Sequence, residues 1–139
     1  MLKLIMKKII FGIIIVVTVF LIIFFYLNKS KTPSLFPTYI IDGGIYHLME
    51  ARNLNAWTKG LMYYKSKDEL KGADGMIFIF PKKEIKTFWN KNTYLDLDIY
   101  WMNGEKVVGK SHLPSIIKTK DPLTVTSPNE VNRVVEIIK

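Results

Sequence analysis

The stretch Leu95-Asp96-Leu97-Asp98-Ile99-Tyr100-Trp101-Met102-Asn103-Gly104-Glu105-Lys106-Val107-Val108-Gly109 sets the reading of the whole chain. Two runs rich in β-branched and aromatic residues flank Asn-Gly, a dipeptide that accepts positive φ at both central positions of a two-residue type I′ turn. The stretch therefore predicts an antiparallel hairpin. In that register Ile99 faces Val108, Tyr100 faces Val107 and Trp101 faces Lys106, whose aliphatic stem can cover the indole. Upstream, Met76-Ile77-Phe78-Ile79-Phe80 is apolar without alternation, the pattern of a short strand buried on both faces and central to a sheet. Pro81 is expected to end it, with Ile85–Trp89 as the next strand. Ile45–Ala51 follows the turn signal Asp42-Gly43-Gly44, and Val131–Ile138 is a final β-branched strand. Ser66-Lys67-Asp68-Glu69 matches a capping box and predicts a short helix through Leu70, bounded by Gly72 and Gly75. Strands outnumber helices and no β-α-β spacing is visible. The expected fold class is mainly β, a small antiparallel β-sandwich or barrel-like domain with one short helix.

The N-terminal end has a different composition. From Ile9 to Leu27 the only polar side chains are Thr18 and Tyr26. As a helix this stretch would reach about 28 Å, close to the roughly 30 Å of a bilayer's hydrocarbon core. It predicts a single transmembrane anchor helix, uncleaved because its apolar part is too long for a signal peptide and lacks a small-residue cleavage site. The expected organisation is a basic cytoplasmic segment (1–8), the anchor (9–27), a stalk (28–38) held extended by Pro33 and Pro37, and a β-rich domain (39–139). Lys3, Lys7, Lys8 and the amino terminus before the anchor outweigh Lys29 and Lys31 after it. That asymmetry predicts a single-pass protein of the cytoplasmic membrane with its domain on the extracytoplasmic side. The formal charge of +8 divides into +5 over residues 1–31 and +3 over 32–139, where 15 basic side chains meet 12 acidic ones. The excess flanks the apolar segment, so membrane is the expected partner and nucleic acid is not. The chain has no cysteine, which excludes disulfides, thiolate metal sites and a cysteine nucleophile.

Four blocks carry a resemblance to a known family. Gly60-Leu61-Met62, Gly75-Met76-Ile77-Phe78-Ile79-Phe80, Phe88-Trp89-Asn90-Lys91-Asn92-Thr93 with Leu97-Asp98-Ile99, and Val134-Val135-Glu136-Ile137 occur in this order. Together they resemble the domain of unknown function 192 family over roughly residues 46–138. The resemblance implies a small β-rich fold with a minor helix, often exported or membrane-tethered, and implies no activity. Asn90 departs from the family's usual methionine and Asp96 from its usual proline. The family commonly continues past the position of Lys139 with a glycine-containing helix and a last strand. An unpaired sheet edge, open to self-association, is therefore expected here.

The densest polar cluster comprises Asn90, Lys91, Asn92, Thr93, Asp96 and Asp98 beside Trp89. Two readings of it stand open. In one, these residues line a ligand site floored by Trp89, whose ring stacks on a sugar or other planar ligand while the amides direct hydrogen bonds. In the other they form a turn, with asparagines at unusual φ, Lys91 paired to Asp98 and Trp89 in the core. If Asp96 to Asp98 is extended, the two carboxylates share one face about 7 Å apart, a spacing compatible with acid–base chemistry on a glycoside. His47 and Glu50 have helical ligand spacing but fall on opposite faces of the expected strand, and His112 stands alone, so neither metal nor other cofactor is expected. No nucleophile elbow and no glycine-rich phosphate loop is present. The expected function is a noncatalytic small-ligand or partner-binding accessory module. The alternatives are an envelope hydrolase using Asp96 or Asp98 with Lys91, and a scaffold subunit of a membrane complex.

Overall fold

Strand pairing around Gly75–Glu84 organises the domain. The computed structural model describes residues 1–27 and 34–139, in two compact units, Met1–Pro33 and Ser34–Lys139. In the first, helix α1 runs Leu2–Leu27 and its described apolar side chains from Ile10 to Tyr26 are exposed. The Thr18 hydroxyl lies 2.9 Å from the carbonyls of both Ile14 and Ile15, so its polarity is satisfied within the helix. Over the described residues alone, no helix is long and apolar enough to cross a membrane. The expected stalk falls mostly on residues 28–33, outside the described residues.

In the second unit the elements run β1 Thr38–Ile41, β2 Gly44–Ala51, α2 Leu54–Lys59, β3 Gly75–Glu84, β4 Thr87–Trp89, β5 Leu97–Asn103, β6 Lys106–Leu113, β7 Thr124–Thr126 and β8 Val131–Ile138. A six-stranded sheet has the order β1-β2-β3-β8-β5-β6, and β4 pairs with β7 in a small ribbon. Met76, Phe78, Leu97, Ile99, Trp101 and Val134 pack on one face, beneath Trp57 of α2 and Phe88 and Val125 of the ribbon. Ile77, Tyr100, Met102 and Val135 face the other way and meet Ile41 and Leu48, so the β1–β2 end curls over the second face. This is why Met76–Phe80 carries no alternation: both faces are buried.

The domain is mainly β, as expected, but the sheet is mixed. β2 and β3 are parallel, Leu48 pairing with Gly75 and Ala51 with Phe78, and the connection between them contains α2. Six residues show too little periodicity to betray a helix. Its start is fixed locally: the Asn53 side chain accepts from the Ala56 N–H at 3.0 Å. The Ser66–Leu70 helix is a short 3₁₀ turn, Lys67–Leu70, without a side-chain cap from Ser66. Glu69 reaches back, but to the Lys65 N–H at 3.0 Å.

The β5–β6 hairpin forms in a different register. Tyr100 pairs with Lys110, Trp101 with Gly109, Met102 with Val107 and Asn103 with Lys106. The turn residues are thus Gly104 and Glu105, with Gly104 at φ +62, and Val108 is an extra, bulged residue. The cause is packing: Trp101 is fully buried, and a Cβ on Gly109 would lie 2.6 Å from Pro128 Cγ and 3.2 Å from Trp101 Cδ1. The glycine must oppose the indole, and the bulge reconciles that demand with the turn. Pro81 does not end β3; it sits where the β3–β8 ladder is interrupted between Ile79 and Glu84 and has no partner to disappoint. The last strand, β8, is not an edge, since β3 and β5 pair with it on either side.

Candidate functional site

Helix α2 ends at Gly60, whose N–H donates to the Ala56 carbonyl at 2.9 Å and whose φ of +49 suits glycine. A Cβ there would also stand 3.2 Å from Phe78 Cζ and 3.7 Å from Glu136 Oε2. The turn thus delivers Leu61 against β8, where its backbone N–H hydrogen bonds the Glu136 carboxyl. Glu136 pairs with Met76 of β3 and Ile99 of β5 and points to the same core face. It is only 5% exposed, and its Oε2 has no hydrogen-bond partner. Burial pushes this carboxyl up to about 8, against the opposing pull of the Leu61 N–H. At neutral pH it is mostly an uncharged acid.

Glu136 lines a cavity of about 30 Å³ together with Gly60, Leu61, Met62, Phe78, Phe88, Thr93 and the two indoles Trp57 and Trp89. That is room for about one water or one hydroxyl. All four sequence blocks that carry the family resemblance contribute to this wall. Trp57, Thr58, Phe88 and Trp89 continue into an adjoining groove of about 250 Å³, completed by Phe80, Lys86 and Thr87. Its aromatic wall is rigid: Trp57 donates its indole N–H to the Ala51 carbonyl at 2.9 Å, its ring centroid lies 5.1 Å from that of Phe80, and Phe78 meets Phe88 edge-on at 4.8 Å. At the rim Lys86 Nζ lies 4.2 Å over Phe80 and Lys91 Nζ 5.0 Å over Trp89; Lys86 is also paired with Glu84 at 2.7 Å.

The cluster singled out in the sequence is divided by the structure. Trp89, 46% exposed, lines both cavity and groove, so it is not core. Thr93 lines the cavity and Lys91 covers Trp89. Lys91 forms no ion pair with Asp98 among the described residues; Asp98 instead faces His112 across the hairpin at 3.3 Å. Asp96 precedes β5, accepts from the Ser115 N–H at 2.9 Å and pairs with Lys118. The Lys118 ammonium and the Ser115 N–H hold its carboxyl below the usual carboxylate range. The two aspartates therefore do not form a carboxylate pair with Lys91, and neither borders the cavity. His47 and Glu50 are likewise engaged separately, by Asp74 and by Arg52.

Asn92 adopts φ +55 and donates to the Tyr63 hydroxyl at 3.1 Å, as the turn reading expects. Asn90 is fully buried. Its amide donates to the Pro114 carbonyl and the Thr119 hydroxyl, both at 2.9 Å, and accepts from the Leu123 N–H at 2.7 Å. It ties the loop before β5 to the segments after β6 and presents nothing to a ligand. Asn90→Ala leaves those partners unpaired and is expected to cost about 3 kcal/mol, read by urea denaturation.

Glu136 and Trp57 escape a search for clustered polar residues. The signal for Glu136 was a lone acid inside Val134-Val135-Glu136-Ile137-Ile138, too apolar a run to hold a charge without a reason.

The fold and the shared blocks define a class. The sequence profile of the domain of unknown function 192 family, described as Uncharacterized ACR, matches residues 41–139. The chain belongs to that family. It is similar to a crystal structure from Novosphingobium aromaticivorans DSM 12444 of a protein of unknown function, at 22% identity and a TM-score of 0.60 over 78% of this chain and 82% of that one. It is also similar to one from Sinorhizobium meliloti 1021 described as a candidate transcription regulator, at 22% identity and a TM-score of 0.56 over 73% and 77%. At this identity both likenesses speak for the fold alone. No curated protein matches the chain significantly.

Proposed function

We propose that this protein is a noncatalytic binding module, tethered by α1 to the cytoplasmic membrane with its domain on the extracytoplasmic side, and that its ligand occupies the groove ending at Glu136. The observation that carries the binding reading is the buried, unpartnered Glu136 Oε2 at the point where the four family blocks converge. A buried polar atom without a partner costs stability and is retained where something else uses it. Trp89, Lys91 and Thr93 belong to this site; Asn90, Asn92 and Asp96 support the loops around it, and Asp98 faces His112 across the β5–β6 hairpin. The tether rests on composition: 26 helical residues in α1 with no acidic side chain, apolar on all sides beyond Lys8. A hydrolase built on Asp96 or Asp98 with Lys91 finds little support, because Asp96 is held low and neither aspartate borders the cavity.

The test is NMR on the full chain in detergent micelles against sugars, peptidoglycan fragments, nucleotides and divalent cations. Shifts are expected at the Trp57 and Trp89 indoles and the Gly60 and Leu61 amides. A well-dispersed spectrum that stays silent across the panel overturns the reading in favour of a protein partner. Lys91→Ala, which removes a surface ammonium, is expected to weaken binding by about threefold to tenfold with the melting temperature moved by no more than about two degrees. A large loss of stability with binding intact contradicts its place at the rim.

A further inference from the structure

The shape and polarity of the site restrict the ligand further, given the binding reading above. We propose that it is a sugar ring of monosaccharide size, seated with one hydroxyl in the small cavity on the Glu136 carboxyl and one face of the ring on the aromatic wall.

The cavity selects the group. At about 30 Å³ it has room for a group as small as a hydroxyl. Glu136 lines it and its carboxyl has one oxygen without a partner, and a hydroxyl can donate to a carboxyl or accept from it through a single atom. An ammonium would fit by size and would pair with an ionised Glu136. It must however pass Lys59, Lys86 and Lys91 around the opening, and like charges at the mouth of a cleft disfavour its entry.

The groove selects the body that bears this hydroxyl. Its floor is aromatic, from Trp57, Phe80, Phe88 and Trp89, while Thr58, Thr87 and Lys86 stand around it, bonded to the Leu54 carbonyl, the Thr126 hydroxyl and Glu84 but each with a lone pair or N–H left over. That arrangement matches a ring with apolar faces and a polar perimeter. A phenol has the hydroxyl and the flat face but offers the polar side chains nothing. About 250 Å³ suits one ring rather than an extended chain.

The experiment uses the full chain in dodecylphosphocholine micelles, which carry no sugar headgroup. The probes are glucose, N-acetylglucosamine and glucuronate, with phenol and benzylamine as competing chemistries. Saturable shifts of the Trp57 and Trp89 indole N–H and the Gly60 and Leu61 amides are expected from at least one sugar, with a Kd in the millimolar range. Glu136→Gln, which keeps a neutral hydrogen-bonding group, should retain affinity within about threefold, and Glu136→Leu should lose about tenfold. Trp89→Ala, at a half-exposed position, should lose a similar factor and guards against the Leu variant failing to fold.

Silence from all three sugars while phenol or benzylamine shifts the site overturns the sugar assignment and leaves the binding reading standing. Silence from every probe overturns the sugar assignment and the small-ligand reading together. Sugar shifts that survive both Glu136→Leu and Trp89→Ala contradict the proposed seat.

Discussion

Replacing Glu136 by glutamine is expected to remove most of the fall in stability that the protein shows between about pH 4.5 and 8. The folded carboxyl is raised from 4.5 to about 8 by burial. Below the unfolded pKa both states hold the proton and the group imposes no charge penalty. As pH rises through this window the unfolded chain releases the proton while the folded chain retains it, so the unfolded state gains. The loss levels off above about pH 8. A shift of this size corresponds to about 5 kcal/mol between the ends of the window. Since typical domains are stable by only about 5–15 kcal/mol, the effect is large enough to dominate the alkaline side of the profile.

The acidic side runs the other way. Glu50, beside Arg52 and Tyr39, and Asp96, beside Lys118, are held below their ordinary values. Their contributions are present above the usual carboxylate range and are lost as pH falls through the folded pKa values. Stability should therefore peak in mildly acidic solution. Urea denaturation of the protein and the Glu136→Gln variant from pH 4 to pH 9, each within the protein's soluble range, checks this. Parallel curves would place the origin of the pH dependence elsewhere.

Gly75→Ala should be the most damaging small substitution in the domain. A Cβ at this position would lie 1.8 Å from the backbone oxygen of Glu136 and 2.9 Å from its carbonyl carbon. Backbone cannot rotate away as a side chain can, so β3 and β8 must separate where Gly75 pairs with Ile137. Ordinary overpacking costs about 1–3 kcal/mol, and a clash with a central strand should reach at least the upper end. The same displacement moves Glu136, so binding and stability should fail together. Thermal unfolding combined with ligand titration checks both; a variant with unchanged melting temperature would mean that β8 can slide at little cost.

Much of the sheet was legible because its signals are local. A nonalternating run marks β3, a β-branched run marks β8, and Asp42-Gly43, with φ of +51 and +80, turns β1 into β2 as the sequence suggests. The features that escaped depend on distant contacts. Nothing near Asn103 reveals that Trp101 will need a glycine opposite it, and that need, set by Pro128, fixes the hairpin register. Helix α2 is too brief to show a period, yet it accompanies the parallel crossover. The site follows the same logic. A row of amides and carboxylates after Trp89 looks like a binding surface by residue type, but Asn90 turns inward to satisfy three backbone and side-chain groups. The chemistry lies instead on a single acid in an apolar strand, brought under the Gly60 turn by the fold.

That Glu136 carries an uncharged, unpartnered carboxyl where the four family blocks meet is open to measurement by ¹³C NMR of the glutamate side-chain carboxyls of the full chain in micelles, followed as a function of pH. One resonance should titrate near 8, be absent from Glu136→Gln and move when a ligand enters the groove. If no glutamate titrates above the usual carboxylate range, Glu136 is solvated or paired, and both the uncharged cavity end and the site built on it are wrong.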